Sequence, residues 1–175
     1  TALCFFGGVR KHAQEFFLVT NPTVNSFKRL VPGYEAPCYI SWSDANRSTM
    51  IRIPAARGRA TRIEVRSVDP SSNPYLAMSA LLASGLDGIR NSLDGVSPVK
   101  KNLFKMSEVE RKRLGIKNLP ESLREAIDYF STSDLMKETI GEVLHTKLIE
   151  AKTKEWDEYK MKISQWELDK YLPVI

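Results

Sequence analysis

Two short stretches that alternate arginine with branched apolar residues place the strictest limit on how this chain can fold. They are Ile51-Arg52-Ile53 and Arg62-Ile63-Glu64-Val65-Arg66. Side chains alternate between the two faces of a β-strand, so a period of two predicts strands with one charged face and one apolar face. In the second stretch a carboxylate would lie between two guanidinium groups. This arrangement indicates a site for anions, to which the carboxylate could add a metal ligand.

The same region is rich in arginine. Between positions 47 and 66 the chain has one acid, Glu64, and no lysine. The six arginines of this region are Arg47, Arg52, Arg57, Arg59, Arg62 and Arg66. Arginine suits bidentate binding of carboxylates and phosphates, whereas a solubilising surface mixes lysine with both signs of charge. Residues 1–100 carry the whole net charge of +5, with twelve Lys/Arg against seven Asp/Glu, which favours a local anion site over a diffuse polyanion-binding surface.

The front of the chain predicts a helix, a loop and three strands. Apolar residues at helical spacing predict a helix over 1–19, which a proline at position 22 would end. Three prolines and a glycine predict an ordered loop over 20–37. The region 38–67 predicts strands at 38–43, 49–53 and 61–67, and a polar turn at 44–46 joins the first two. We expect a small antiparallel sheet that bears the arginine and glutamate side chains.

The rest of the chain predicts helices. Asn73 is a favourable N-cap and Pro74 suits the first helical position, so a core helix is expected over 73–90. The region 91–175 is mostly helical, with a long stretch that begins at Ser133 and could break near Thr153 or Ser164. A helix, a small sheet and then further helices define an α+β class for the single domain.

Several classes of protein are disfavoured. No apolar run reaches 18 residues, so no membrane span is expected. Cys4 and Cys38 do not make a disulfide framework, which indicates a reducing, cytoplasmic location, and Cys38 is expected to be a small buried hydrophobe. His12 and His145 lie far apart and predict structural or solvent-facing roles. The arginine strands lack the interleaved aromatics and lysines of a nucleic-acid surface, and there is no Walker A loop or Gly-rich dinucleotide fingerprint.

The loop at 27–37 could act as a lid. Gly33 lies between Pro32 and Tyr34 and would let the loop bend, which would carry Glu35 in or out of a site. A surface loop with solvated charges is the alternative interpretation. The charged strand face has a similar alternative, in which ion pairs between Glu64 and its two neighbouring arginines are exposed and contribute little stability.

The order of motifs resembles type I glutamine synthetases. Residues 21–37 (NPTVNSFKRLVPGYEAP) are similar to the family's active-site flap, and the similarity is dense over 20–90 and looser to the end. The later motifs are Asn46-Arg47-Ser48, Ile51-Arg52-Ile53-Pro54, Arg62-Ile63-Glu64-Val65-Arg66, Asp69-Pro70, Asn73-Pro74-Tyr75-Leu76 and 83–89 (ASGLDGI). The chain is therefore interpreted as the C-terminal part of a glutamine synthetase catalytic domain, in which 20–37 is the flap and 38–67 forms the active-site strands.

The resemblance implies roles for eight residues. Glu35 resembles the flap glutamate that helps deprotonate ammonium, and Arg47 resembles the arginine that stabilises the transferring phosphoryl group. Both would also contact glutamate, and Arg47 would contact ATP. Arg29 and Arg66 resemble the arginines that bind glutamate. The residues that resemble ATP contacts are Arg52, Arg62 and, less closely, Arg59, and the one that resembles a metal ligand is Glu64.

The implied reaction forms glutamine from glutamate and ammonia, with ATP as co-substrate, Mg²⁺ or Mn²⁺ as cofactor and γ-glutamyl phosphate as intermediate, in a cytoplasmic double-ring dodecamer. The chain opens on Thr1 and lacks the family's other metal ligands and N-terminal domain, so we expect a fragment that is inactive alone. Two alternatives remain open: a related γ-glutamyl-amine ligase, and a non-catalytic interaction module that keeps the fold.

Overall fold

The computed structural model describes residues 1–34, 36–46, 48–94 and 97–174, so Glu35 and Arg47 lie outside the described residues. Within these ranges, helices precede and follow a small sheet along the chain. The predicted α+β class is confirmed. The helices are α1 (Ala2–Lys11), α2 (Phe17–Thr20), α3 (Val24–Lys28), α4 (Pro74–Arg90), α5 (Glu108–Arg113), α6 (Leu123–Ser131), α7 (Asp134–Ile140), α8 (Glu142–Lys160) and α9 (Gln165–Tyr171). The strands are β1 (Tyr39–Ser43), β2 (Thr49–Arg52) and β3 (Glu64–Val65).

The sheet has the order β1-β2-β3 and is mixed. β2 and β3 pair in antiparallel fashion, as predicted. β1 and β2 are parallel, with Tyr39 opposite Thr49 and Ser43 opposite Arg52, so the expectation of a wholly antiparallel sheet is wrong. β3 is also shorter than the predicted strand 61–67, because only residues 64 and 65 of that stretch pair with β2 as a strand.

The parallel pairing has a physical cause in the connection between β1 and β2. The sequence predicts a polar turn at 44–46 here, and in the structure Thr49 at the start of β2 lies opposite Tyr39 at the start of β1. Asn46 donates its side-chain amide to the Val99 and Lys101 carbonyls at 3.2 and 2.6 Å, and Ser48 Oγ accepts from the Leu103 amide at 3.1 Å. Contacts with residues more than 50 positions away therefore hold the return path.

The helices α1 and α4 cross at two glycines. A Cβ atom on Gly8 would lie 2.0 Å from the Ser84 carbonyl oxygen, and one on Gly88 would lie 2.1 Å from the Cys4 carbonyl oxygen. The backbones of α1 and α4 therefore touch on the face that carries Cys4 and Gly8. Phe6 lies on the other face of α1, is fully buried and contacts the Trp42 ring. The predicted start of α4 is confirmed, since Asn73 Oδ1 accepts from the amides of Tyr75 and Leu76.

The remaining helices follow the predicted caps with two differences. Ser133 caps α7, as expected, and Ser164 caps α9. The long stretch is not broken at Thr153 but near Ser164, the other predicted place, where α8 ends and α9 begins. It also breaks at Gly141, whose φ of +83° favours glycine. The predicted helix over 1–19 is divided by a turn between α1 and α2, and the loop 20–37 contains α3. Among the described helices, none has the length and apolar character that crossing a bilayer requires.

Candidate active site

The pairing of β2 with β3 forms the centre of the candidate site. Arg52 and Glu64 are partners in this pairing, and Arg52 Nε lies 3.4 Å from Glu64 Oε2. On the other side, Arg62 donates to Glu64 Oε1 through Nη2 at 2.7 Å and through Nε at 2.8 Å. Both carboxylate oxygens thus face guanidinium groups. The sequence prediction that charged residues share one face of the sheet is confirmed for these three side chains.

This cluster is half-buried and open to ligands. The side chains of Arg52, Arg62 and Glu64 are 38, 49 and 28% exposed. Ion pairs with this exposure contribute about 0–1 kcal/mol to stability, so the fold gains little from them. Each guanidinium also retains N–H groups that face away from the single carboxylate. The cluster can therefore exchange a side-chain partner for an incoming phosphate or carboxylate at small energetic cost.

Arg29 is held from three directions. It donates to Asn21 Oδ1 at 3.0 Å, to the Ser67 carbonyl at 2.5 Å and to Asp69 Oδ2 at 3.3 Å. Burial tends to raise the pKa of Asp69, but hydrogen bonds from Ser71 and the charge of Arg29 outweigh burial and lower this pKa below its ordinary value. The carboxylate therefore stays charged, and the Arg29 side chain is fixed against the segment that follows β3.

Arg66 directly precedes Ser67, whose carbonyl accepts a hydrogen bond from Arg29. Its amide donates to the Met50 carbonyl at 2.9 Å, and its Nη1 donates to the Thr49 carbonyl at 3.4 Å. Since Arg29 contacts Ser67, the structure brings the two predicted glutamate-binding arginines to one segment. Their role in binding glutamate stays a prediction.

Two arginines of the region lie apart from this cluster. Arg59 lies on the exposed 3₁₀ turn, and within the described ranges its side chain forms no hydrogen bond or ion pair. Arg57 donates to the Pro54 carbonyl at 2.7 Å, three residues before it in the chain. The predicted ATP contact of Arg59 therefore has no support from a neighbouring side chain, although an exposed, unpaired cation could still contact a phosphate.

The structure describes the flap, residues 20–37, except for Glu35. Glu35, the predicted flap glutamate, and Arg47, the predicted phosphoryl contact, lie outside the described residues. Gly33 has a φ of +97°, a conformation that favours glycine, and a Cβ built on it meets no atom within 4 Å. Tyr34 is 71% exposed. An exposed tip with a glycine at its bend is compatible with a lid, and this role stays a prediction.

Two residues that position Arg29 were missed as functional residues. Asn21 and Asp69 lie in the motifs on which the resemblance rests, but no role was assigned to either. Asn21 is fully buried although it is polar, and a polar residue followed by proline predicts only a helix end. Their contacts span 8 and 40 residues of sequence, so local pattern gave no signal.

The histidines have structural roles, as predicted. His145 is buried, stacks on Phe130 with ring centroids 4.6 Å apart, and its Nε2 lies 3.0 Å from the Phe130 carbonyl. His12 is buried between two carboxylates, those of Glu15 and Asp87. Cys38 is buried too, and burial together with the charge of Glu121 raises the pKa of its thiol to about 11, which makes it a poor nucleophile.

The described residues alone do not fit a divalent metal ion. Among them, no three His, Cys, Asp or Glu side chains are grouped closely enough to hold one. Glu64 offers the hard oxygen donors that Mg²⁺ prefers, but one carboxylate paired with two arginines is an incomplete ligand set. Any further ligands would have to come from outside the described part of the chain.

The structure is an α+β fold whose small sheet presents two arginines paired with one carboxylate. The family described as "Glutamine synthetase, catalytic domain" matches residues 1–171. The chain belongs to this family.

Similar proteins agree with this assignment. The glutamine synthetase of Methanosarcina mazei is 52% identical over 174 residues, which are 99% of this chain and 39% of that protein. The glutamine synthetase of Staphylococcus aureus (strain MRSA252) is 50% identical over 172 residues, 98% of this chain and 39% of that protein. The chain therefore spans about two fifths of the length of these relatives.

Solved structures show the same fold. A complex of GmaS with ADP has a TM-score of 0.84 and 33% identity, and the match covers 98% of this chain and 39% of the GmaS chain. Apo GmaS without ligand has a TM-score of 0.79 at the same identity, with 98% and 38% coverage.

Proposed function

We propose that this chain is part of an ATP-dependent glutamate–ammonia ligase that forms glutamine through γ-glutamyl phosphate. The observation that carries the proposal is the conjunction of whole-chain similarity to glutamine synthetases with an open arginine cluster around Glu64. Phosphoryl transfer develops negative charge on oxygens of the transferring group, and preorganised guanidinium groups stabilise that charge. The ligase would act in nitrogen metabolism.

The nucleotide side of the site is assigned to the arginines next to Glu64. Arg52 and Arg62 would contact the phosphates of ATP, and Arg59 would contact the nucleotide from its exposed turn. The related protein GmaS binds ADP, which supports a nucleotide in this fold. Incoming phosphate oxygens would compete with Glu64 for Arg52 and Arg62, and the surface ion pairs are weak enough to allow this exchange.

The glutamate side is assigned to Arg29 and Arg66. Fixed in place by Asn21, Ser67 and Asp69, Arg29 can bind a carboxylate without first ordering its own side chain. Preorganisation of this kind lowers the entropic cost of binding. Arg47, by resemblance, would stabilise the phosphoryl group during transfer, and Glu35 would close over the site and accept a proton from ammonium.

Glu64 would supply one ligand to Mg²⁺ or Mn²⁺. When bound, such an ion neutralises phosphate charge and polarises the transferring phosphoryl group. The described residues do not complete its ligand set, so the contribution of this chain is the carboxylate and the arginines around it. Within this proposal the 175 residues alone are inactive.

Assembly and location are also part of the proposal. By resemblance, the complete ligase would be a homo-oligomeric double ring of twelve subunits in the cytoplasm. Cys4 and Cys38 are both free thiols, which agrees with a reducing compartment.

The test is an assay of the complete ligase that contains this chain, with glutamate, ATP and Mg²⁺, and with ammonium or methylamine as the amine. We expect glutamine and phosphate with ammonium, and no product from residues 1–175 alone. Preferential amide formation with methylamine would instead indicate the γ-glutamyl-amine ligase. Absence of ATP-dependent amide formation with either amine, in correctly assembled protein, would favour an interaction module.

A further inference from the structure

A cavity of about 510 Å³ opens beside the outer edge of β1, and none of the arginine-cluster residues lines it. At this edge the Ile40 amide donates to the Lys117 carbonyl at 2.8 Å, and the Trp42 carbonyl accepts from the Val99 amide at 2.9 Å. The cavity lies between these two attachments, with walls from 97–101 and 113–116. Between the two attachments, the segments that pack along the edge of β1 leave this space open.

The interior of this cavity is mainly apolar. The apolar side chains that line it include Ile40, Trp42, Val99, Met106 and Ile116. Trp42 is held by an edge-on contact with Phe6, whose ring centroid lies 5.5 Å away. A rigid aromatic wall in a space of this size suits one small ring or a short aliphatic body, since ligand pockets typically measure about 300–1,000 Å³.

The charged side chains of the cavity are mostly positive. They are Arg10, Lys100, Lys101, Arg113 and Glu110. The acid is already neutralised, because Lys101 Nζ lies 3.0 Å from Glu110 Oε1. The remaining lining charges therefore favour a ligand with a negative group.

Arg10 is the cation in the most protected position. It is half-buried in the last turn of α1, and within the described part of the chain its guanidinium has no hydrogen-bond or ion-pair partner. Burial disfavours its charge and lowers the pKa of Arg10. A guanidinium that has lost water and gained no acceptor would be stabilised by an anion that supplies one.

A second cavity of similar volume provides a contrast. Its lining has Glu108 and Glu121 together with one arginine, Arg111. That arginine is already occupied, since it donates to the Met106 carbonyl and lies over the Tyr39 ring, 4.5 Å from its centroid. The charges that line the second cavity therefore give no preference for an anion, whereas the charges that line the first cavity do.

We propose that the cavity beside β1 binds a small carboxylate with an apolar body, such as an arylalkanoate. The ring would lie against Trp42 between β1 and Ile116, and the carboxylate would accept hydrogen bonds from Arg10. Lys100 and Arg113 would add weaker attraction, because both are exposed and their charges are screened. None of the residues assigned above to the ligase centre lines this cavity, so the proposal does not rest on that assignment.

Isothermal titration calorimetry of the full-length protein with 4-phenylbutyrate tests the proposal, and the uncharged 4-phenylbutyramide serves as the matched ligand. We expect the acid to bind about tenfold more tightly than the amide, because a charge-assisted hydrogen bond is lost with the amide. The variant Arg10→Met should remove this preference. The variant Arg90→Met is the matched control, since Arg90 is an exposed arginine in the last turn of α4 that does not line the cavity, and it should bind as the wild type does.

Two further measurements keep the test decisive. If Arg10→Met does not fold, Lys100→Met provides a second variant, since it replaces an exposed side chain. It should weaken the binding of 4-phenylbutyrate about two- to threefold. Binding of the acid should change the tryptophan emission of the wild type but not that of Trp42→Phe. Equal affinity for acid and amide, or an acid affinity unchanged in Arg10→Met, or no binding at all, would overturn the proposal. Because every readout is binding, failure here leaves the ligase assignment untouched.

Discussion

His12 Nε2 lies 2.8 Å from Asp87 Oδ2 and joins the end of α1 to α4. The other ring nitrogen, Nδ1, lies 2.9 Å from Glu15 Oε1, and Glu15 in turn accepts from Ser133 Oγ at 2.5 Å. One buried imidazole therefore links α1, α4 and, through Glu15, the cap of α7. Lys11 Nζ also lies 3.0 Å from Asp87 Oδ2.

This link predicts that stability depends on pH. Burial opposes the charged form of His12, but its pairing with the carboxylates of Glu15 and Asp87 outweighs burial and raises its pKa. The stabilisation is then complete below the unfolded pKa of about 6.5 and is lost as pH rises through the higher folded pKa. The pKa values of Glu15 and Asp87 are lowered, so their contribution is present above about pH 4.5 and is lost in acid.

The measurement is thermal unfolding of wild type and His12→Gln between pH 5 and pH 8. The wild type should be more stable by about 2 kcal/mol at pH 6, since hydrogen bonds to charged groups contribute about 1.5–3 kcal/mol. This advantage should shrink as pH rises above about 6.5. A difference between the two proteins that stays constant over the whole range would contradict a charged His12.

The crossing of α1 and α4 predicts a large cost for a single methyl group. In Gly8→Ala the new Cβ would lie 2.0 Å from the Ser84 carbonyl oxygen and 2.7 Å from Gly88 Cα, and backbone atoms cannot rotate away. We expect a loss of about 3 kcal/mol, or roughly 6–12 °C in Tm. Gly115→Ala is the control, since its Cβ meets no atom within 4 Å and only its φ of +65° adds strain of about 1–2 kcal/mol. Equal losses in both variants would show that packing at the crossing matters little.

The anchoring of Arg29 predicts a change in substrate affinity when Asp69 loses its charge. In Asp69→Asn the shape is retained but Arg29 is held less firmly, so within the proposed function the KM for glutamate should rise about tenfold, with kcat less affected. Asp128→Asn removes another aspartate paired with arginine, at 2.8 Å from Arg124 on the surface of α6, and should leave both constants unchanged. A lower kcat at constant KM would place Asp69 in the chemical step instead.

Much of the local structure followed from the sequence because its causes are local. The alternation around Glu64 predicted its shared face with Arg62, and Asn73 and Ser133 predicted helix starts that their side chains do cap. The parallel pairing of β1 with β2 could not be predicted this way. It depends on contacts of Asn46 with residues near position 100, which no local pattern records.

For the candidate site as well, local sequence features were predictable and long-range contacts were not. Composition and family motifs predicted which arginines take part, and this stays a prediction. The residues that hold these arginines in place were not predicted. Arg29 is fixed by Asn21 and Asp69, which are 8 and 40 residues away from it in the sequence. Burial of a polar side chain such as Asn21 becomes visible only when the chain is folded.

The position of Glu64 between two arginines predicts a variant that separates function from stability. Glu64→Gln keeps the size of the side chain but removes the charge that pairs with Arg52 and Arg62. Because these pairs are partly exposed, the free energy of unfolding should change by less than about 1 kcal/mol. Activity of the complete ligase should fall at least about 100-fold at low Mg²⁺ and recover in part at high Mg²⁺, since an amide oxygen is a weaker ligand than a carboxylate.

Glu108→Gln is the control for this variant. Glu108 pairs with Lys112 on the exposed surface of α5, so this substitution should not affect activity. A Glu64→Gln enzyme with the Mg²⁺ dependence of the wild type would remove Glu64 from the metal site and leave it as a partner of the two arginines.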